Sequence, residues 1–567
     1  MKSGKSRRTI QGFPLFLCTF LLFPSHFSLL ASQHAGHRVP VVPQELLERP
    51  LTLRTGIGRA HDAVSTKSSE AQGFYDQGLS YLHSYVWIEA ARSFHQALRS
   101  DPGLALAHVG LSYAYIELNK PTEARQAIER ASTFARSATA DKRGLSAREL
   151  AHERHHIDAR ALQMAAEDAP QDAAKLAAYR KALDTALAAF PDDVELILKR
   201  GVAESPDPAD RGQGSVVASI AFFERALTTA PNHFAARHYL AHAFENSNRV
   251  TDALAQASSY ASQAAGVPHA RHMHGHELRR AGKPVAAAVQ FDAADKLQRD
   301  YFTREKVGAD LDWHHQHNLD LLAATYQYLG QMKKAEPLLK QSFELPSNLL
   351  VQMVNKREWP AYLLARNRPA EALEAAKVLI AHPNPLVQAA GHVEAGFALL
   401  AMNRVADGGA ASHAALRALT SSPGGQDLVF IGLEALQGEF RLRTAQREQG
   451  RKMMESAARK WRSQPGPDAW SQSLFRLESM ARAARAVGDW ELAGRMSQLM
   501  VAHDPAYFGS HYAMALVAQN AGNAATAHRE FDLALKAWAT ADSDLPELSV
   551  ARRGPRSGIP DPGSGHP

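Results

Sequence analysis

Cysteine is all but missing from this 567-residue chain, where Cys18 stands alone. It lies inside an apolar N-terminal stretch, so the chain beyond that stretch carries no thiol at all. That excludes disulfides, cysteine nucleophiles, thiolate metal sites and a C-x-x-C-H haem attachment together, and it suits an oxidising compartment. Aromatic residues are also few, at 8%, while alanine recurs densely. Strands want β-branched and aromatic residues, so little sheet can be built and an all-helical chain is expected. There is no H-E-x-x-H metalloprotease helix and no G-x-S-x-G elbow. The turn Gly56-Ile57-Gly58 is too short for a phosphate loop and has no Lys-Ser/Thr after it. His276-Glu277 lacks a second histidine downstream, so Glu277 is not placed as a general base.

A strong excess of one charge is lacking too. The formal net charge of +6 includes Lys2, Lys5, Arg7 and Arg8, and residues 1–32 hold no acid, so without them about +2 remains. The basic balance is therefore no argument for nucleic acid. What those first residues do contain is a cationic start, the apolar run "GFPLFLCTFLLF" and small residues near Ala31 and Ser32. This is the layout of a secretory signal peptide. The alternative is an uncleaved anchor, but Pro14, Pro24 and His26 leave the run short of the roughly 20 apolar residues of a membrane span. The stretch around Arg7-Arg8 only partly matches a twin-arginine signal.

A chain this long exceeds any usual single-core domain and must be several domains or a repeat. Residues 71–102 answer this. Phe74, Gly78, Tyr81, Ala90, Phe94, Ala97 and Pro102 fall at positions 4, 8, 11, 20, 24, 27 and 32 of one unit. Apolar residues at 4, 7, 8 and 11 share one face of a first helix, small residues at 20 and 27 let a second helix approach, and proline stops it. Further units start near 105, 160, 194, 234, 268, 316, 353, 389, 474 and 508. This register resembles the tetratricopeptide repeat, a helix–turn–helix of about 34 residues. The resemblance implies an all-α, right-handed helical-hairpin solenoid of roughly 10–12 helix pairs. The Gly56-Ile57-Gly58 leader with His61, the helix with His272-Met273-His274-Gly275-His276, and His317-Asn318 also resemble a group of exported bacterial tetratricopeptide proteins, which implies fold and export but no chemistry. The expected organisation is a signal peptide over 1–32, a leader over 33–66, N-terminal units over 67–134 and a helical insert over 135–160. Central units over 161–420, an irregular helical insert over 421–473, C-terminal units over 474–541 and a disordered tail over 542–567 complete it.

Four histidines stand within "PHARHMHGHE", residues 268–277. In the repeat register, positions 2, 5, 9 and 12 of the first helix face the concave groove. His269, His272, His276 and Arg279 occupy them, whereas His274 at position 7 is expected in the core. The preceding unit places His238, His242 and Glu245 at 5, 9 and 12, and the following unit adds His317 and Asp320, with His314 and His315 just before. Aromatics such as Trp87, Phe94, Phe223 and Phe291 sit at packing positions. The i, i+4 pair His152 and His156 lies among Arg148, Arg154 and Arg160 and is read as a solvated face.

These observations predict an exported interaction scaffold rather than an enzyme, with no catalytic set. A peptide or protein partner, and no nucleic acid, would lie in a groove lined by His238, His242, Glu245, His269, His272, His276, Arg279, His317 and Asp320. Membrane contact would come only through an uncleaved signal. Groove clamps of this repeat class that hold a C-terminal carboxylate use Lys and Asn at positions 5 and 9; histidine stands there instead and makes binding pH-dependent. The alternative is a metal-binding protein or metal-dependent enzyme in which His238, His242, His272 and His276 hold Zn, Ni or Cu, since i, i+4 spacing puts two imidazoles on one helix face.

Overall fold

The computed structural model describes residues 42–136, 143–205, 214–347, 349–464 and 469–555. The expected signal peptide lies outside them, as do residues 33–41 of the leader and 556–567 of the tail. No strand occurs among the described residues, and no helix there is long and apolar enough to cross a membrane. After a short helix α1 (Gln44–Leu47), the chain runs as antiparallel hairpins: α2 (Ser69–Leu82) with α3 (Trp87–Ser100), α4 (Ala105–Glu117) with α5 (Pro121–Phe134), and α6 (Ala147–Glu167) with α7 (Ala173–Ala189). α8 (Val194–Val202) pairs with α9 (Val216–Thr229), α10 (Phe234–Asn246) with α11 (Val250–Gln263), α12 (Pro268–Arg280) with α13 (Pro284–Glu305), and α14 (Trp313–Tyr328) with α15 (Met332–Glu344). After α16 (Leu350–Asn355) come α17 (Glu358–Ala365) with α18 (Pro369–Ile380), α19 (Pro385–Ala401) with α20 (Val405–Ser421), and α21 (Asp427–Leu442) with α22 (Arg447–Arg462). α23 (Ala469–Ala486) with α24 (Trp490–His503), α25 (Phe508–Asn520) with α26 (Ala524–Ala537), and α27 (Pro546–Arg553) complete the described helices. This is an all-α helical-repeat fold.

Local chemistry starts the helices. Ser68, Asp193, Ser215 and Asp489 accept hydrogen bonds from free N–H groups of the first turn, and Ser146 and Glu149 form a reciprocal capping box. Pro121, Pro268, Pro284 and Pro369 open their helices, where a missing N–H costs nothing. Packing then follows the repeat register. A Cβ at position 8 would lie 2.5 Å from the Phe94 ring at Gly78, 2.5 Å from Phe223 at Gly201 and 2.8 Å from Phe291 at Gly275. These three hairpins thus seat a second-helix ring on bare first-helix backbone.

Three segments differ from the sequence expectation. α6 runs unbroken across residue 160, started by its capping box and closed against α7. The 421–473 stretch contains a close hairpin, because Gly438 and Gly450 let α21 and α22 approach until a Cβ on Gly450 would lie 2.7 Å from the Leu442 nitrogen. Residues 542–555, expected as part of a disordered tail, are ordered: α27 buries Leu548 and Val550, and Glu547 pairs with Arg366 at 2.6 Å.

The hairpins wind so tightly that each half of the chain meets itself. In the first half, Glu305 at the end of α13 binds Arg54 of the leader and Arg92 of α3, both at 2.8 Å. Arg92, almost fully buried, also holds Glu89 and the Pro50 carbonyl. The leader lies along the coil, with the Gly266 amide donating to the Gly56 carbonyl at 2.7 Å. Gly58, at φ +84°, passes so close to Phe234 that a Cβ would lie 2.6 Å from its ring, so this turn needs glycine twice over. In the second half, the Trp538 indole donates to the Tyr328 carbonyl at 2.9 Å, and Tyr328 donates to Asp504 at 3.1 Å.

Candidate metal centre

Helical spacing sets the histidines. His238 and His242 lie one turn apart on α10 with ring centroids 4.9 Å apart, and His272 and His276 repeat this on α12 at 4.8 Å. Asp312 caps α14, accepting from the His314 amide at 2.9 Å, which places His314 in the first turn and His317 one turn on. Because neighbouring helices stack, the six imidazoles gather as two adjoining trios. His238, His242 and His269 form one, and His272, His276 and His317 the other, with one ring nitrogen from each residue within 4.8 Å of the rest of its trio. His269 and His272 bridge them at 6.0 Å between rings, and His314 packs on both at 4.9 and 4.4 Å.

The outer hydrogen bonds fix which nitrogen faces inward. His238 Nδ1 donates to the His83 carbonyl at 2.7 Å, His272 Nδ1 to Asn318 Oδ1 at 3.0 Å, and His276 Nδ1 to Glu245 Oε1 at 3.2 Å. In the neutral rings this leaves each Nε2 as a lone pair. The Nε2 atoms of His269 and His242 face His238 Nε2 at 2.9 and 3.1 Å. Ligands about 2.0–2.1 Å from a tetrahedral ion lie about 3.3 Å apart, so these separations are close to those of a shared ion. Imidazole nitrogen braced by a carbonyl, an amide or a carboxylate is the usual outer arrangement of metal-binding histidine.

Electrostatics favour neutral, ligating rings. Burial holds His238, His269, His272 and His314 well below the ordinary imidazole range, and the neighbouring histidines push the same way. Two carboxyls sit beside them. Burial raises Glu245, but its hydrogen bond to His276 and the charges of His276, His242 and Arg280 outweigh it and bring it down to about 2. Burial and the neighbouring Glu245 push Glu277 up to about 9, so the pair carries one negative charge at neutral pH.

The expected groove residues separate in space. His238, His242, His269, His272, His276, His317 and Glu245 come together. Arg279 instead reaches Ser471 of α23 at 3.4 Å, and Asp320 accepts from Ser342 of α15. The four histidines expected to share one ion divide between two trios, each completed by a third residue, His269 or His317. The faces are also reversed. His269, His272 and His276 are 6, 1 and 4% exposed, whereas His274, expected in the core, is half-buried near Gln290 and Arg271. The cause is the tight winding, which turns the concave face into an interior.

The expectation of a solvated His152 and His156 is likewise corrected. α6 packs on the leader and on α8, so His156 is buried and both rings bind Asp193 Oδ2, at 2.8 and 3.0 Å. Asp193 also caps α8 through Leu196. Asp62 lies 3.8 Å from His152, pushed up to about 8 by burial and by Asp193, and Lys199 stands 3.4 Å from His156. The group carries its own cation and is explained as a pin between leader, α6 and α8.

Position in the repeat did not reveal His83 or Tyr85, which come from the turn between α2 and α3. His83 spans the coil to Tyr239 and Glu195, both at 2.9 Å, and Tyr85 lays its ring against His238 and His269 at 4.8 and 5.1 Å. The available signal was local: other such turns carry Asn or Gly at the corresponding left-handed position, as at Asn119, Asn248, Gly282 and Gly330, whereas Tyr85 holds it at φ 60°.

Fold and site together define an all-α helical-repeat protein with a buried polyhistidine centre. No protein-family model matches the chain and no curated protein sequence matches it. Solved structures similar to it include PilW, a type IV pilus biogenesis factor, at 16% identity over 48% of this chain and 92% of that one, with a TM-score of 0.24. The apo quorum sensor NprR of B. thuringiensis aligns at 10% identity over 67% of this chain and 94% of that one, with a TM-score of 0.37. The human IFIT1 dimer with m7Gppp-AAAA aligns at 11% identity over 76 and 90%, with a TM-score of 0.36. Values this low carry none of those proteins' roles to this chain.

Proposed function

We propose that this chain is a metal-binding protein holding two neighbouring ions of the Zn, Cu or Ni class, one on His238, His242 and His269 and one on His272, His276 and His317. What carries the reading is His238 Nε2, whose single lone pair is faced at 2.9 and 3.1 Å by two further Nε2 atoms. One lone pair cannot satisfy both neighbours, whereas a cation among the three nitrogens satisfies all of them. Imidazole donors without thiolate suit late first-row ions. Three protein ligands leave a fourth position open, the pattern of sites that act on a ligand rather than of purely structural sites. An extended peptide would need these side chains exposed, so their burial favours a smaller ligand than the one the groove register suggests. Export remains part of the proposal and rests on residues 1–32.

Elemental analysis of tag-free protein after loading with Zn, Cu or Ni tests this. About two ions per chain are expected. His238→Ala with His242→Ala removes one, His272→Ala with His276→Ala removes the other, and the four together remove both. No stoichiometric metal with any of the three ions, or full retention in the four-fold variant, ends the reading.

A further inference from the structure

A cavity of about 150 Å³ opens beside the first trio, with His269 and His314 in its wall. A dry cavity of about this volume accepts a benzene-sized molecule. Its remaining wall includes four large rings from three segments, Tyr85 and Trp87 at the start of α3, Tyr301 of α13 and Trp313 of α14. Rings prefer such surroundings, since offset and edge-on contacts add to simple burial.

Four of the charged groups at the cavity are already engaged. Arg54 and Arg304 bind Glu305 at 2.8 and 3.0 Å, Glu89 binds Arg92 at 2.6 Å, and Asp312 caps α14. Asp300, the remaining charged group of the wall, is an exposed carboxylate, so no cation is left to hold an anion and the fitting ligand is not anionic. What the wall does offer is N–H. Gln298 Nε2 donates to the Asp312 carboxylate at 3.4 Å, which fixes the orientation of the amide, and it also donates to His314 Nδ1 at 3.1 Å. The neutral His314 ring therefore carries its proton on Nε2, and that buried nitrogen has no hydrogen-bond partner within the protein. The Trp313 indole N–H is in the same condition. Buried donors without acceptors are costly, by about 1–3 kcal/mol each. A ligand that fills this space favourably brings one ring and an oxygen acceptor.

We propose that this cavity binds a phenol, its ring against Tyr85, Trp87, Tyr301 and Trp313 and its oxygen accepting from His314 Nε2. The placement beside His269 makes it the ligand site of the metal centre and in that respect rests on the proposed function, but the cavity and its donors exist without a metal. Tyr85 ties the two together, because its ring lines the cavity and also lies against His238 and His269.

The test is ¹⁹F NMR titration of the full chain with 4-fluorophenol and with fluorobenzene, first metal-free and then loaded with Co(II). Saturable one-to-one binding of 4-fluorophenol is expected without metal, with fluorobenzene weaker by about tenfold or more for want of an acceptor. His314→Phe, which keeps a ring and removes the donor, should weaken 4-fluorophenol several-fold and leave fluorobenzene unchanged. Val86→Trp, at the cavity edge, should abolish both. In the Co(II) form the bound fluorine signal should broaden, and the broadening should vanish in the four-fold histidine variant. No binding, or equal affinity for the two probes with no effect of either substitution, overturns the phenol site. Phenol binding without broadening by bound Co(II) leaves the cavity standing and removes its place as the ligand site of the metal centre, while the metal reading itself falls only with the elemental analysis.

Discussion

At the scale of the residue, burial decides what each histidine does. His108 stacks on Phe134 at 5.7 Å, 6% exposed, and burial brings it down to about 4, with Arg130 adding to the effect. In the unfolded chain it titrates near 6.5. Between those values the unfolded state takes up a proton that the native state refuses, so this contribution to stability is complete above about 6.5 and is lost as pH falls towards 4. His108→Phe removes the titration and keeps the stacking. Its melting temperature relative to the parent should therefore rise between pH 7.5 and pH 5, where the difference reaches about 2 kcal/mol; a pH-independent difference would contradict this account. At this same scale the sequence was informative for His238, His242, His272 and His276, because helical spacing alone places them on one face. It was uninformative for their burial. Whether a groove is open depends on how far the superhelix winds, and no residue within one repeat records that.

At the scale of the element, the repeat register was legible because it is a local contact repeated. Gly201 shows the contact's strength. An alanine in a helix interior usually gains about 1 kcal/mol over glycine, but at Gly201 the new Cβ would lie 2.5 Å from the Phe223 ring, and such overpacking costs about 1–3 kcal/mol. Gly201→Ala should therefore lower the melting temperature, whereas Gly494→Ala, whose Cβ would meet Val517 at an ordinary 3.5 Å, should raise it. If both substitutions stabilise, the Gly-to-ring seat is not what sets hairpin spacing. The turns carry the complementary lesson. Tyr85 occupies a backbone conformation that costs a non-glycine residue about 1–3 kcal/mol, and its 8% exposure shows what offsets it, namely ring burial against the histidine trio. A motif search finds nothing there, since the partner residues lie some 150 positions away.

At the scale of the whole molecule, closure is what the sequence hid. Arg92 and Glu305 are 213 residues apart, and Tyr328 and Trp538 are 210 apart, so neither contact follows from any local pattern. Each half of the chain is nevertheless tied to itself, and the histidine trios sit in the first. Trp538 is the main fastening of the second: it stacks on Phe508 with ring centroids 3.5 Å apart and donates to the Tyr328 carbonyl. Removing a buried tryptophan side chain costs about 3–5 kcal/mol, enough to release the second coil before the first. Each ion bound only by the native first coil adds about 2.7 kcal/mol at a hundredfold excess over its dissociation constant, so the two together raise the melting temperature of a unit of this size by roughly 10 °C. In calorimetry, Trp538→Ala should therefore unfold in two steps, with zinc raising the upper step by that amount and leaving the lower one in place. A single transition that zinc moves as a whole would mean that α14, shared between the coils, couples them into one cooperative unit, and that the centre stabilises the entire chain.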